Sequence, residues 1–181
     1  FLWFWLTGGL HLDGLADTAD AWVGGFGDPE RTLKIMKDPA CGPIGVLSLI
    51  VVCLLKFAAL YVLIEQHLNV FLILIPAIGR SVALLLFLTT EYVRAEGLGS
   101  SITDSIPKRV TWIVFVITLS FLLVFKWLGL IAFVCLLGLA FYLRRLFIQR
   151  IGGITGDTIG AAIELIETGV LVTVVVASFY I

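Results

Sequence analysis

Long apolar runs separated by short polar segments dominate this chain, and this pattern predicts helices that cross a membrane. A helix needs about 20 apolar residues to span a bilayer. Residues 44–64, residues 68–90 and the stretch from near 157 to 181 each meet that length. Residues 110–143 are too long for one span at about 1.5 Å of rise per residue. We therefore expect them to turn at residues 126–129 and to form a hairpin of two short spans.

The chain opens inside another apolar run, FLWFWL, and begins with Phe rather than Met. This run lacks the basic stretch that opens a signal peptide, so we expect it to be the end of a first span whose start is missing. With it the count reaches about six spans. The predicted fold is all-α: a polytopic helical bundle in the lipid bilayer, with residues 1–181 forming a single membrane domain.

Composition supports a membrane protein. Hydrophobic residues make up 60% of the 181 residues and charged residues only 14%, whereas charged residues are about 25% of a typical soluble domain. The mean hydropathy is +1.11. The net charge of −1 gives no reason to expect a nucleic-acid partner. The three cysteines show no CxxC spacing, so we interpret them as small packing residues.

The basic residues predict which ends of the spans lie together. If the spans alternate in direction, loops 24–43, 91–109 and 144–157 fall on one side of the membrane, and turns 65–67 and 126–129 on the other. Among Lys and Arg residues, the turns on the second side hold only Lys126. The excess of Lys and Arg on the first side predicts that it is cytoplasmic. Its basic residues are Arg31, Lys34, Lys37, Arg94, Lys108, Arg109, Arg144, Arg145 and Arg150.

Three carboxylates stand close together in GGLHLDGLADTADAW, residues 8–22. If residues 10–22 are helical, Asp13, Asp17 and Asp20 lie on one face at i, i+4 and i+7. Like charges on one stripe repel each other unless a cation sits among them, and Mg²⁺ binds carboxylates together with substrate phosphates. We therefore predict a metal–phosphate site. The alternative is a solvated acidic helix end, which suits the helix dipole.

Basic residues follow in RTLKIMKDPACGPIG, residues 31–45. Arg31, Lys34 and Asp38 share a helical face at i, i+3 and i+7, and Lys37 lies beside them. Such cations could clamp phosphate oxygens, or they could simply anchor the protein at the cytoplasmic membrane edge. The Asp38–Pro39 step should end this helix.

A third polar element, GGITGDTIGAAIELIE, occupies residues 152–167. Thr155 or Asp157 could cap the helix that follows. Asp157 and Glu164 share a face, and ionisable groups that enter a span are usually functional or paired. The alternative is close helix packing through Gly156 and Gly160.

Two cations, Lys56 and Arg80, interrupt apolar spans. They could pair with these acids or extend to the membrane interface. His11 precedes the acid series and could be a general base or a packing residue.

Four motifs in order, from the first residues almost to the last, resemble the cobalamin synthase family, also known as adenosylcobinamide-GDP ribazoletransferases. They are GGLHLDGLADTADAW, IMKDPACGPIGV, YVRAEGLG at residues 92–99, and GGITGDTIGAAIELIE. The first and the last are long and specific. The family's usual chain is longer at its N-terminus, which agrees with a missing first segment.

The resemblance implies a multi-pass enzyme of the bacterial inner membrane that completes the vitamin B12 coenzyme. It would join adenosylcobinamide-GDP to α-ribazole, or to its 5′-phosphate, and release GMP, with Mg²⁺ as cofactor. Asp13, Asp17 and Asp20 would then hold Mg²⁺ on the pyrophosphate. A carboxylate, Asp38 or Asp157, would accept the proton of the ribazole hydroxyl. The residues expected to bind substrate are Arg31, Lys34, Lys37, Arg94 and Glu164.

Two other functions fit parts of the pattern. A transferase acting on lipid head groups or prenyl chains also uses acidic metal sites, and product made only with a lipid alcohol would favour it. A transporter could line a path with Lys56 and Arg80, but its site should lie near the midplane between repeats. The chain shows no repeat, and its polar residues favour one surface. The sequence leaves the oligomeric state open, and a homo-oligomer is compatible with it.

Overall fold

The computed structural model describes residues 8–94 and 107–180, and in this part of the chain nearly all residues are helical. A single isolated parallel bridge joins Tyr92 to Ile154. The described helices are α1 (Leu10–Gly24), α2 (Pro29–Ile35), α3 (Pro43–Glu65), α4 (Phe71–Thr89), α5 (Lys108–Leu122), α6 (Lys126–Ile151) and α7 (Gly156–Ser178).

Within the described residues, four segments are long and apolar enough to cross a membrane: Pro43–Glu65, Phe71–Thr89, Lys108–Ile151 and Gly156–Ser178. The predicted all-α membrane bundle is therefore confirmed. The segment Lys108–Ile151 contains both α5 and α6, so five apolar helices account for five of the roughly six predicted spans. The remaining predicted span begins at the N-terminus, and residues 1–7 lie outside the described residues.

The predicted hairpin turn is present between α5 and α6. A short 3-10 helix, Leu123–Phe125, ends α5, and Lys126 adopts a positive φ of 52°. Gly129 then packs directly against the carbonyl of Leu122, where a side chain would have no room. The chain therefore reverses at residues 123–126, about three residues before the position that the sequence favoured.

Contacts between residues near the helix ends define the two ends of the bundle. At one end, Arg94 reaches the carbonyl of Met36, and Arg150 donates a hydrogen bond to the carbonyl of Trp22. We call this the acidic end, because α3 and α7 begin there and the aspartates of α1 lie beside them. At the opposite end, the rings of Phe71 and Phe125 lie 4.9 Å apart. The basic loops that the structure describes thus share one end, as predicted.

Helix α7 is the centre of the bundle. It packs against α1, α3, α4 and α6, and most of its length is buried. Its crossing with α1 is close enough to require glycine. A Cβ atom on Gly14 would lie 2.8 Å from the carbonyl oxygen of Asp157, and one on Gly160 would lie 3.1 Å from that of His11. Of the two glycines that the sequence offered for close packing, Gly160 thus packs tightly, here against α1, whereas the Cβ position of Gly156 has only the Tyr92 hydroxyl group at 3.8 Å.

We expect Gly14→Ala to lower the thermal unfolding temperature and the activity together. The added methyl group would push α1 away from Asp157, and overpacking of this kind costs about 1–3 kcal/mol. Gly138→Ala is the matched control, because nothing lies within 4 Å of the Cβ position of Gly138 in α6. In a helix that replacement should be neutral or slightly stabilising. Equal unfolding temperatures for the two variants in detergent would contradict the close crossing.

Four charged side chains pair inside the bundle, at the middle of the spans. The Lys56 Nζ atom lies 2.6 Å from Glu164 Oε2 and 2.7 Å from Glu167 Oε2. The Arg80 guanidinium pairs with the other oxygen of Glu167. Two cations and two anions therefore balance one another, which is how charges are tolerated in a membrane interior. The sequence allowed Lys56 and Arg80 either to pair with acids or to extend to the membrane interface. The structure shows the pairing with acids.

Candidate active site

Helix α1 carries the three aspartates as predicted, and two of them face a cavity. Asp13 and Asp17 line a cavity of about 470 Å³ at the acidic end. Its volume is within the range of roughly 300–1,000 Å³ that is usual for ligand sites. The walls combine the start of α1 with the loop before α3 and one residue of α3. The other lining residues are Gly8, Gly9, Leu10, Leu12, Ala16, Pro39, Cys41 and Leu49.

Asp20 has a different position from the other two aspartates. Its carboxylate accepts hydrogen bonds from the backbone N–H of Gly42 at 2.7 Å and of Gly45 at 2.8 Å. These N–H groups belong to the N-terminus of α3, where the first turn of a helix has no backbone partners of its own. Asp20 therefore caps α3 from a distance and fixes α1 against it. A side chain on Gly42 or Gly45 would collide with this carboxylate.

Asp17 lies near the other carboxylates of the site. Burial raises the pKa of its carboxyl group to about 6, and the nearby carboxylates of Asp13, Asp157 and Asp20 push the pKa in the same direction. Arg94 acts in the opposite direction. A buried carboxylate among like charges gains stability when a cation joins it. This electrostatic environment is what a cation site requires.

Asp157 pairs with Arg94 at the edge of the same site. The Arg94 Nη2 atom lies 2.6 Å from Asp157 Oδ2. Asp157 is in the first turn of α7, which Thr155 caps by accepting a hydrogen bond from the backbone N–H of Thr158. Arg94 is held in place because Val93 and Glu91 exchange backbone hydrogen bonds with Ile154. The structure thus brings together two residues that the sequence suggested separately.

Only the first half of the predicted basic face is helical: Arg31 and Lys34 are in α2, whereas Lys37 and Asp38 follow its end. Helix α2 begins at Pro29, after Asp28 has capped it by accepting backbone N–H bonds from Glu30 and Arg31. It ends at Ile35, three residues before the predicted stop. A cavity of about 870 Å³ runs along it. The lining residues are Asp28, Glu30, Arg31, Lys34, Ile35, Lys37 and Asp38.

The remaining predicted site residues differ in exposure. Asp38 is exposed and accepts a hydrogen bond from the backbone N–H of Ala40 at 3.0 Å. Glu164 is buried in its pair with Lys56, about two turns along α7 from Asp157. Residues 95–99, the second half of the YVRAEGLG motif, lie outside the described residues.

Sequence reasoning missed the loop residues that close the cavity. Cys41 was interpreted as a packing residue, but it is exposed and lines the cavity beside Asp17. Pro39 and Leu49 line the cavity with it. The available signal was Gly42 and Gly45 around Pro43, because small residues at the start of a helix indicate that another group approaches the helix closely.

The donor set fits a Mg²⁺ ion that is shared with phosphates. Among residues 8–94 and 107–180, no group of three or more His, Cys, Asp or Glu side chains is close enough to hold a metal ion. Mg²⁺, however, is commonly held by one or two carboxylates together with substrate phosphates and water. Asp13 and Asp17 supply two carboxylates in one cavity, and burial first and the neighbouring carboxylates second raise the pKa of Asp17.

The sequence matches the family described as cobalamin-5-phosphate synthase over residues 1–175. The chain belongs to this family. A relative from Acinetobacter baumannii (strain ACICU), named adenosylcobinamide-GDP ribazoletransferase, is 64% identical over 180 residues, which cover 99% of this chain and 73% of the relative. A relative of the same name from Pseudomonas fluorescens (strain Pf0-1) is 53% identical over 172 residues, which cover 94% of this chain and 71% of the relative. No solved structure matches the chain.

Membership in the cobalamin-5-phosphate synthase family confirms the resemblance that the four motifs indicated. It also confirms that the chain is a transferase of cobalamin synthesis, since the relatives carry a transferase name across nearly the whole chain. The four apolar segments agree with a multi-pass membrane protein. The individual site residues and the magnesium requirement stay predictions.

Proposed function

We propose that this protein transfers the adenosylcobinamide phosphate group from adenosylcobinamide-GDP to α-ribazole, or to α-ribazole 5′-phosphate, and releases GMP. The names of the relatives support these substrates. The single observation that carries the proposal is the cavity lined by Asp13 and Asp17, with the Arg94–Asp157 pair at the edge of the same site. Phosphoryl transfer depends mainly on positioning and on charge neutralisation, and this site offers both.

Each side chain has a role in this proposal. Asp13 and Asp17 would hold Mg²⁺, which when bound would neutralise the pyrophosphate charge. Asp20 orients α1 by capping α3, and it thereby holds Asp13 and Asp17 at the cavity. Arg94 steadies Asp157 and adds positive charge to the site. The basic face would hold the phosphates and the departing GMP through Arg31, Lys34 and Lys37.

The attacking hydroxyl group needs a proton acceptor, and the sequence offers Asp38 or Asp157. We favour Asp157 because its carboxylate is held by Arg94 and is close enough to Asp17 to alter the pKa of Asp17. Asp38 is exposed beyond the end of α2, among cations. A base must lie within hydrogen-bond reach of the proton that it removes, and a residue fixed inside the acidic end meets this condition more readily.

The location follows from the charge of the loops. The described basic loops meet at the acidic end, and basic loops stay on the cytoplasmic side of a membrane. The proposal therefore places the protein in the bacterial inner membrane with the acidic end facing the cytoplasm, where nucleotide substrates are found. Cysteine labelling from either side of membrane vesicles can check this. The exposed Cys41 should react only from the cytoplasmic side.

The direct test uses membranes that contain the protein and purified adenosylcobinamide-GDP. Chromatography would follow the corrinoid products with α-ribazole, with its 5′-phosphate and with a lipid alcohol as acceptor, each in Mg²⁺ and in excess chelator. We expect a cobalamin product only with a ribazole acceptor and only with Mg²⁺. Product that forms only with the lipid alcohol would overturn the proposal in favour of a lipid head-group transferase.

A further inference from the structure

A groove with a cationic end opens between α4 and α6. Both helices pack against α7, and a cavity of about 460 Å³ lies between them near their ends at the acidic end of the bundle. Five of the seven lining residues are apolar, among them Leu85, Leu137 and Phe141. The remaining two are Thr89 and Arg144, so the lining holds one cation and no anion.

Arg144 is fixed in position by the end of α4. Its Nε atom donates to Thr90 Oγ1 at 3.1 Å, and its Nη2 atom donates to the carbonyl oxygen of Thr89 at 2.7 Å. A guanidinium group has five N–H donors, so donors remain for a ligand after these two bonds. Holding the group rigid in advance also lowers the entropy that a ligand must overcome on binding.

We propose that this groove binds one anionic phospholipid, with an acyl chain against α4 and α6 and the phosphate of the head group on Arg144. Two observations support a lipid rather than another ligand. Phe141 is 65% exposed and Leu137 is 38% exposed, and both lie on α6 in a segment apolar enough to span the membrane. The single cation lies at the helix ends, which is the level of the lipid head groups.

The groove connects to the active site through the chain itself. Thr89 and Thr90, which hold Arg144, lead directly to Glu91 and Val93, which pair with Ile154. The next residue, Arg94, pairs with Asp157. A lipid phosphate bound to Arg144 would therefore add a contact that holds the segment carrying Arg94 in place. We expect anionic lipid to increase activity as well as to bind.

The first experiment measures lipid binding, which does not depend on the reaction. The full chain in a neutral detergent is titrated with dioleoyl-phosphatidylglycerol or with dioleoyl-phosphatidylcholine, and retained lipid is counted by native mass spectrometry. We expect the wild type to bind the anionic lipid about fivefold more tightly than the zwitterionic lipid, the preference that one cation near a membrane surface provides. Equal binding of the two lipids by the wild type would overturn the proposal.

Two matched variants locate the site. Arg144→Gln should abolish the preference, whereas Arg145→Gln should keep it. Arg145 carries the same charge at the same height but does not line the groove. If both replacements reduce the preference equally, the effect is general surface charge and the proposal is wrong. Size-exclusion chromatography checks that each variant is folded.

A third variant keeps the proposal testable if Arg144→Gln fails to fold. Leu85→Trp would fill the groove and leave the hydrogen bonds of Arg144 in place. We expect it to retain less anionic lipid than the wild type, and unchanged retention would contradict the groove. Transferase activity in nanodiscs of each lipid is measured separately. A binding preference without any change in activity would confirm the site and reject only the coupling to Arg94.

Discussion

Asp17→Asn is expected to reduce the transfer rate by on the order of 10²–10³-fold, the loss typical when one charged or polar group that stabilises the transition state is removed. Asp17 lies in the cavity with Asp13, and burial together with the neighbouring carboxylates raises its pKa to about 6. An amide has the same shape but cannot balance a cation. Membranes containing the variant would be assayed for GMP released from adenosylcobinamide-GDP.

The matched control for this variant is Glu91→Gln. Glu91 is exposed at the same end of the bundle, and its hydrogen bond to Ile154 uses the backbone carbonyl, which the replacement leaves in place. We expect its GMP release to stay within about twofold of the wild type, since replacing an exposed side chain usually alters stability by no more than about 0.5 kcal/mol. Similar losses in both variants would mean that charge at this surface in general, and not Asp17, supports the reaction.

Lys56→Met is expected to destabilise the protein by about 3–5 kcal/mol, the usual result of removing one partner of a buried ion pair. The Lys56 ammonium lies within 2.7 Å of carboxylate oxygens of both Glu164 and Glu167, and all three residues are almost completely buried. Without it, two carboxylates would share only Arg80. The measurement is the thermal unfolding temperature in detergent, together with the amount of folded protein recovered from membranes.

Two further proteins test the cause of this loss. Lys126→Met makes the same replacement at an exposed turn residue and should leave the unfolding temperature nearly unchanged. The double replacement Lys56→Met with Glu164→Gln restores charge balance, because Arg80 and Glu167 remain as one pair. We expect it to be more stable than Lys56→Met alone. A double variant that is as unstable as the sum of the single changes would refute charge balance as the reason.

Most of the bundle could be predicted from the sequence because hydrophobic length decides it. The spans around α3, α4 and α7, and the reversal between α5 and α6, follow from apolar runs and their interruptions. The position of the reversal was displaced, because the apolar residues Leu123–Phe125 form the turn, and apolarity alone does not distinguish a 3-10 turn from a continuing helix. The polar Lys126 only marks its end.

The site was predicted less completely, because helical periodicity gives the face of a side chain but not its partner. Spacing put Asp13, Asp17 and Asp20 on one face of α1. It could not show that Asp20 bonds to Gly42 and Gly45, which are 22 and 25 residues away in the chain. The pairing of Arg94 with Asp157 likewise joins distant segments and depends on how α4 and α7 pack.

The dependence of GMP release on Mg²⁺ concentration, compared between Asp13→Asn and Asp20→Asn, tests the central claim most directly. We expect Asp13→Asn to require at least about tenfold more Mg²⁺, the effect typical of perturbing the groups around a metal. Asp20→Asn should leave the Mg²⁺ requirement of the wild type unchanged and lower only stability, because its carboxylate serves the α3 backbone. An equal rise in the Mg²⁺ requirement of both variants would contradict a site formed by Asp13 and Asp17 alone. It would instead indicate that Asp20 also binds the metal, as the sequence predicted.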